Sequence, residues 1–232
     1  MRKAAFFIDG FNLYHSIDND ARLRKYKWLN LWQLCSSLLM PNDMISEVSC
    51  FTAYTDWNAE RKARHMDYVA INEAAGCQII LGKFLQKDRV SMVECGTPCL
   101  PTVTQRFCKK KYVAHEEKMT DVNIAVAIVK ACALGTCEAI YLVSGDNDLV
   151  PALDTARQIN PNVRLRLIIP INARAKNLMR VCQTHSYKYA HIKEKHLAAA
   201  QFPDPYCVKR HIQKLHIKRQ GLRPAFFKTY MF

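Results

Sequence analysis

Four aspartates stand where hydrophobic stretches end. The run AAFFID closes on Asp9, AIYLVSGDND carries Asp146 and Asp148, and EEKMTD places Asp121 on a predicted helix. An apolar strand that delivers a carboxylate at its C-terminal edge, twice over, is how an α/β fold builds a site at its mouth. Carboxylates gathered in one place repel one another unless a cation lies between them, and oxygen donors of this kind suit a divalent ion. The formal charge of +14 points to a polyanionic partner. Together these features predict metal-dependent hydrolysis of a phosphodiester.

The elements that must position these acids alternate along the first 170 residues. Strands are predicted at Lys3–Ile8, Ser46–Tyr54, Gln78–Phe84, Ala139–Val143 and Val163–Ile169, each rich in β-branched or aromatic residues. Helices are predicted at Leu13–Asp18, Leu31–Leu39, Ala59–Ala75, Glu116–Leu134 and Leu149–Ile159, with Gly76, Gly135 and Asn160-Pro161 as stops. Such alternation implies a parallel sheet with helices on both faces. Right-handed crossovers and a 3-2-1-4-5 order put the first and fourth strands side by side, with Asp9 and Asp146 above one crevice. Glu117 and Asp121, spaced i,i+4, can share one helix face, and spacing alone does not say which looks into the crevice.

Length and composition frame this reading. At 232 residues, half of them hydrophobic, the chain suits one domain with an appendage. Residues 1–170 form the expected catalytic domain, 88–115 an aperiodic insertion, 171–206 a helical completion and linker, and 207–232 a basic tail expected to hold a short amphipathic helix. Residues 171–232 carry 13 Lys/Arg against Glu194 and Asp204, a local charge of +11. No apolar run is long enough to span a membrane, and the opening MRKAAFFIDG is too briefly apolar for a signal peptide. A cytoplasmic location is expected, where the ten Cys are thiols or metal ligands rather than disulfides.

FIDGFNLY, EEKMTDVNIA and LVSGDNDLVPAL resemble, in order, the three signature blocks of the NYN domain, in its LabA-like branch of the PIN-like nuclease superfamily. The similarity runs from residue 3 to about 206 through INPNVRLRLIIP and QFPDPY. It implies a three-layer α/β/α sandwich with a mainly parallel central sheet, an acidic Mg²⁺ or Mn²⁺ site, and RNA cleavage. It assigns Asp9, Asp121, Asp146 and Asp148 to the acidic set, with Asn12 and Ser144 as polar neighbours. Asp9 and Asp146 are expected to ligate the ion, and Asp121 to do so directly or through water. Asp148 would orient water, Asn12 hold that water or a phosphate oxygen, and Ser144 buttress the carboxylates. Singly, Asp148 could be a helix cap and Asp9 a turn former; jointly, four such acids in three blocks favour a site.

Other signals are weaker. Cys95-x3-Cys99-x8-Cys108-x6-His115 offers three thiols and an imidazole for a structural zinc, though the spacing is not that of a standard knuckle. Cys35, Cys50, Cys77, Cys132, Cys137 and Cys182 sit in apolar stretches as core fillers. Lys118, Arg174, Lys176 and Arg180 are expected near RNA phosphates. In the tail, Lys209, Arg210, Lys214, Lys218 and Arg219 mix with His and aromatic residues, as suits backbone neutralisation plus base stacking. Phe226 and Phe227 could instead dock on the domain or a second protomer, so a homo-oligomer is a further expectation. A phosphoryl-aspartate phosphatase needs a second Asp two residues after the first, where this chain has Phe11, and seven Gly leave little room for a nucleotide-binding glycine run. The rival to an endoribonuclease is a catalytically weak RNA-binding or regulatory module on the same fold.

Overall fold

The computed structural model describes residues 1–94, 107–173, 176–185, 187–203, 206–209 and 214–217. Six parallel strands form the central sheet: β1 (Arg2–Asp9), β2 (Asp43–Thr52), β3 (Gln78–Leu81), β6 (Ala139–Val143), β7 (Arg164–Ile169) and β8 (Lys188–His191), in spatial order β3-β2-β1-β6-β7-β8. Between β3 and β6 lies a separate antiparallel ribbon of β4 (Lys83–Glu94) and β5 (Phe107–Lys118).

The sheet is buried on both faces, which is why β1 reads as an unbroken apolar run rather than an alternating one. Ala4, Phe6 and Ile8 face a core built with Leu13 and Ile17 of α1 (Gly10–Asp18) and Leu31, Leu34 and Leu38 of α2 (Leu31–Leu38). Leu197 of α7 (Glu194–Ala199) joins the same core. Ala5 and Phe7 face the opposite core, with Ile124 and Ile128 of α4 (Thr120–Ala133) and Leu153 of α5 (Val150–Ile159). Leu178 of α6 (Lys176–Thr184) completes it. This is the three-layer α/β/α sandwich.

Helix ends follow local chemistry. Asn30 caps α2 and Asn58 caps α3 (Ala59–Ala74), each accepting a backbone N–H at 2.9 Å. Gly76 and Gly135 follow α3 and α4 with φ of 100° and 62°, the left-handed stop that favours glycine.

Five expectations need correction. The strand foreseen at Gln78–Phe84 breaks at Gly82, where a Cβ would meet Thr120 Oγ1 at 2.7 Å and the Lys118 carbonyl at 2.8 Å. The segment 88–115 is not aperiodic where it is described, because cross-strand pairing from Lys83↔Lys118 to Glu94↔Phe107 makes it ribbon. The same pairing holds Glu116–Lys118 in β5, so α4 starts at Thr120 and Glu117 does not share a helix face with Asp121. Beyond residue 170 the chain is not only helical, since β8 adds a sixth strand, and Phe202 N–H reaches the Trp28 carbonyl at 3.0 Å. In the tail, Tyr206–Lys209 and Lys214–Ile217 pair as an antiparallel hairpin where a helix was expected.

Candidate functional site

The order of the sheet reverses between β1 and β6, and that is where the acids gather. Ile8 is in register with Val143, so Asp9 and Ser144 leave adjacent strand ends together. Both are buried. The Ser144 hydroxyl donates to Asp9 Oδ2 at 2.9 Å and accepts the Asp146 N–H at 3.1 Å. Asn12 N–H donates to Asp9 Oδ1 at 2.9 Å, and Gly145 N–H donates to Asn12 Oδ1 at 2.9 Å. Two of these bonds, Ser144 to Asp9 and Gly145 to Asn12, fasten the first and third acidic segments to one another, and the other two brace each segment internally.

Each acid also sits at a helix start. Asp9 caps α1, Asp121 lies in the first turn of α4, and Asp146 caps the single 3₁₀ turn Asn147–Leu149 that leads into α5. The positive ends of these helices favour the charged carboxylates. Glu117 arrives from β5, its carboxylate accepting the Thr120 hydroxyl. The link between Glu117 and Asp121 is Met119, held at φ 80°.

Asp9, Glu117, Asp121 and Asp146 line one open cavity of about 680 Å³, with Asn12, Phe11, His15 and Asn172 on its walls. Burial pushes Asp9 up from 3.8 to about 6, against the hydrogen bonds from Asn12 and Ser144; the charges of Asp121 and Asp146 add to the rise. Burial likewise raises Glu117 to about 7, opposed by the Thr120 hydrogen bond and assisted by Asp9 and Asp121. Asp121 is raised by burial, then by Asp146 and Asp148. Burial is thus the main cause of each rise, and the neighbouring carboxylates add to it.

The donor set is all carboxylate oxygen, which suits a hard divalent ion rather than a thiolate-seeking one. Among the described residues no three His, Cys, Asp or Glu side chains form a ready cage. An ion such as Mg²⁺ needs only one or two direct carboxylate contacts and completes its shell with water, so the chemistry of the donors, and not a preformed cage, is what suits it.

The structure brings together Asp9, Asn12, Asp121 and Asp146 on the cavity wall, with Ser144 behind them. Asp148 is exposed and off the wall; its N–H donates to Asp146 Oδ1 at 3.0 Å, and the capping role falls to Asp146. Glu117, weighed beside Asp121 from the sequence, lines the cavity as well. Phe11 and His15 were missed, although their i,i+4 spacing on α1 puts them on one face, and their rings stack at 6.2 Å. Asn172 was not readable, because its place depends on the turn after β7.

The cations are more scattered. Lys118 is partly exposed and pairs with Glu116 at 3.2 Å. Arg180 is exposed on α6, on which Lys176 also lies, while Arg174 is outside the described residues. Lys209 and Lys214 face each other in register in the tail hairpin, and Arg210, Lys218 and Arg219 lie outside the described residues. Of the zinc candidates, Cys95 and Cys99 lie outside the described residues, and Cys108 is on β5 opposite Val93. His115 stacks on Trp57 at 3.7 Å. Cys35, Cys50, Cys77, Cys132, Cys137 and Cys182 are free and buried, as core fillers should be. Among the described residues no helix is long and apolar enough to cross a membrane.

Comparison with known proteins adds a family and a relative. The family model described as "NYN domain" matches residues 3–190. The chain is 25% identical over 230 residues to 6-hydroxy-3-succinoylpyridine 3-monooxygenase HspA of Pseudomonas putida (strain DSM 28022 / S16), covering 87% of this chain and 70% of that protein. No solved structure matches.

Proposed function

The chain belongs to the NYN domain family, within the PIN-like nuclease superfamily, and from that premise we propose that it is a divalent-metal-dependent endoribonuclease of the LabA-like branch. The observation that carries this reading is the open cleft that Asp9, Glu117, Asp121 and Asp146 line together, in which burial first and neighbouring carboxylates second raise the pKa of Asp9, Glu117 and Asp121. Asp9 and Asp146 would meet Mg²⁺ or Mn²⁺ directly, with Asp121 reaching it through a bound water. The bound ion supplies charge neutralisation at the phosphate and activation of the attacking water.

The chain's own groups do the positioning. Ser144 fixes the Asp9 carboxylate and the Asp146 backbone together, so the two acids move as one unit. With its Oδ1 engaged by Gly145 N–H, Asn12 keeps its Nδ2 for a phosphate oxygen or the attacking water. Glu117, at about 7, is suited to exchange a proton with water or the leaving oxygen near neutral pH. Asp148, beyond the cavity wall, would orient water entering from solvent. RNA is the substrate this reading assigns, with cleavage in a cytoplasmic setting.

RNA cleavage with Mg²⁺ and with Mn²⁺, comparing wild type with Asp9→Asn and Asp146→Asn, tests the proposal. Loss of about 10²-fold or more in both variants is expected, on the scale of removing a group that stabilises developing charge. Metal-dependent cleavage that persists in both variants would identify a contaminating nuclease. Tight RNA binding without cleavage by wild type would favour the regulatory module. The Pseudomonas relative's name brings a second reading, oxygenation of a pyridine ring, resting on likeness across 87% of the chain. Oxygen uptake with 6-hydroxy-3-succinoylpyridine and a supplied electron donor, and no action on RNA, would favour that reading.

A further inference from the structure

The β4–β5 ribbon leaves the catalytic cleft with one face that is first acidic, then aromatic, then basic. Side chains alternate across a strand, and directly opposed residues share a face. Glu117, His115, Val113, Lys111 and Lys109 of β5 therefore share a face with their partners Phe84, Gln86, Asp88, Val90 and Met92 of β4. At the cleft end, Glu117 lines the cavity, and Phe84 meets Phe11 edge-on at 5.5 Å. Next comes Trp57 from the loop before α3, edge-on to Phe84 at 4.8 Å and stacked on His115 at 3.7 Å and 19°. At the far end are Lys111 and Lys109, both exposed and without an acidic partner among the described residues.

The aromatic run has a structural purpose, since it fastens the ribbon to the body of the domain. That purpose does not account for its exposure. Trp57 keeps 44% of its surface in solvent, and Val90, Met92 and Val113 are each about half exposed. Nor does it account for the charge order. Lys109, Lys110 and Lys111 are consecutive, and Asp88 is the one carboxylate between the aromatic pair and the lysines on this face. On the opposite face, Glu116 is already occupied by Arg89 and Lys118. Six residues of strand separate Glu117 from Lys111, a span of about 20 Å.

We propose that this face is a binding track for single-stranded RNA: one end of the strand lies in the acidic cleft, an unpaired base stacks at the Trp57–His115 pair, and phosphates beyond it meet Lys111 and Lys109. The proposal rests on the reading of the cleft as a site of RNA hydrolysis and adds where the substrate runs and that it is unpaired. A duplex keeps its bases stacked on one another and has none to offer the ring pair. A single strand supplies both an open base face and a flexible line of phosphates.

The test uses the whole 232-residue chain carrying Asp9→Asn, so that RNA is held rather than consumed, and labelled oligouridylates of about 4, 8 and 16 nucleotides. Affinity should rise with length in this parent. Trp57→Ala should weaken binding of the longest oligomer about tenfold, in the range of one lost base stack. Trp57→Phe, which keeps a ring, should restore most of that loss, separating stacking from damage to the ribbon. Lys109→Ala with Lys111→Ala should reduce the slope of log affinity against log salt by about 1.4, at ~0.7 per single-strand phosphate contact. Length gain and salt slope unchanged in all these variants would overturn the track, even if the chain with Asp9 intact cleaves RNA. Binding that depends on Trp57 and the lysines, by a protein that cleaves nothing with Asp9 intact, would support the track and remove the hydrolytic reading instead. Duplex bound as tightly as single strand would overturn the stacking. A change in oligomeric mass with unaltered RNA affinity would assign the face to a second copy of the chain and overturn the proposal.

Discussion

Asp9 is the residue on which the site's electrostatics turn. It is buried, it accepts two hydrogen bonds, and yet its pKa rises to about 6, because desolvation outweighs the donors and two neighbouring aspartates add to it. The sign follows from proton counting. Below its ordinary 3.8 the group is neutral in the folded and the unfolded chain, and its ionisation takes nothing from stability. Between 3.8 and about 6 the unfolded chain loses the proton first, so stability falls as pH rises; above about 6 the penalty is complete. Its size is at most ~3 kcal/mol. Asp9→Asn should therefore raise the melting temperature of metal-free protein at pH 7.5 and change it little at pH 4. The substitution suits the local bonds, since the amide oxygen can still accept Asn12 N–H and the amide nitrogen can donate to a Ser144 hydroxyl that turns round. Added Mg²⁺ should stabilise wild type more than the variant. Calorimetry at the two pH values, with and without Mg²⁺, checks this; a melting temperature lowered at pH 7.5 in the absence of metal would show that the hydrogen bonds outweigh the charge.

At the scale of elements, the sequence was most legible where period and punctuation agreed. β1 was readable because a doubly buried parallel strand is a continuous apolar run, and the end of α3 because Gly76 marks it. The crevice at Asp9 and Asp146 followed from strand order, and the acidic blocks were readable as family motifs. The ribbon was not. Its partners are set by cross-strand pairing, which leaves no local period, and its solvent-facing Val90, Met92 and Val113 obscure the alternation. Nor was the Glu117–Asp121 geometry. A helical reading of EEKMTD is sound by spacing, but the chain leaves β5 through Met119 in the left-handed region, and the helix begins only afterwards. A side chain with a Cβ there costs about 1–2 kcal/mol. Met119 is about half exposed, so little packing repays that cost. Met119→Gly should thus stabilise the fold by about 1 kcal/mol, measured by urea denaturation. If the strained turn also fixes the distance between Glu117 and Asp121, the same variant should lower cleavage while raising stability. Equal stability in the two proteins would mean that the turn relaxes without help.

For the whole molecule, the charge is divided between a carboxylate cleft and a cationic periphery. That division suits a polyanionic substrate, which the periphery gathers and the cleft would repel until a cation is bound. Residues 207–232 contribute Lys209, Arg210, Lys214, Lys218, Arg219, Arg223 and Lys228 with no acid, a local charge of +7. Where these groups neutralise phosphates, condensed counterions are released and affinity falls with salt by ~0.7 in log–log slope for each single-strand contact. Ending the chain after Tyr206 should then weaken RNA binding at low salt and flatten the slope by up to about 5, the limit at which all seven cations are engaged. Turnover at saturating RNA should change far less, because the acids come from β1, α4 and the β6–α5 turn. If instead Phe226, Phe227 and Tyr230 hold the tail to the domain or to a second protomer, the truncated chain should melt lower or sediment at a different mass, with its salt slope intact. Binding isotherms across several salt concentrations, beside sedimentation of both proteins, separate the two. The absence of any acid among those 26 residues favours the flattened slope, since a segment meant only to dock on a domain that is itself basic would gain nothing from seven uncompensated cations.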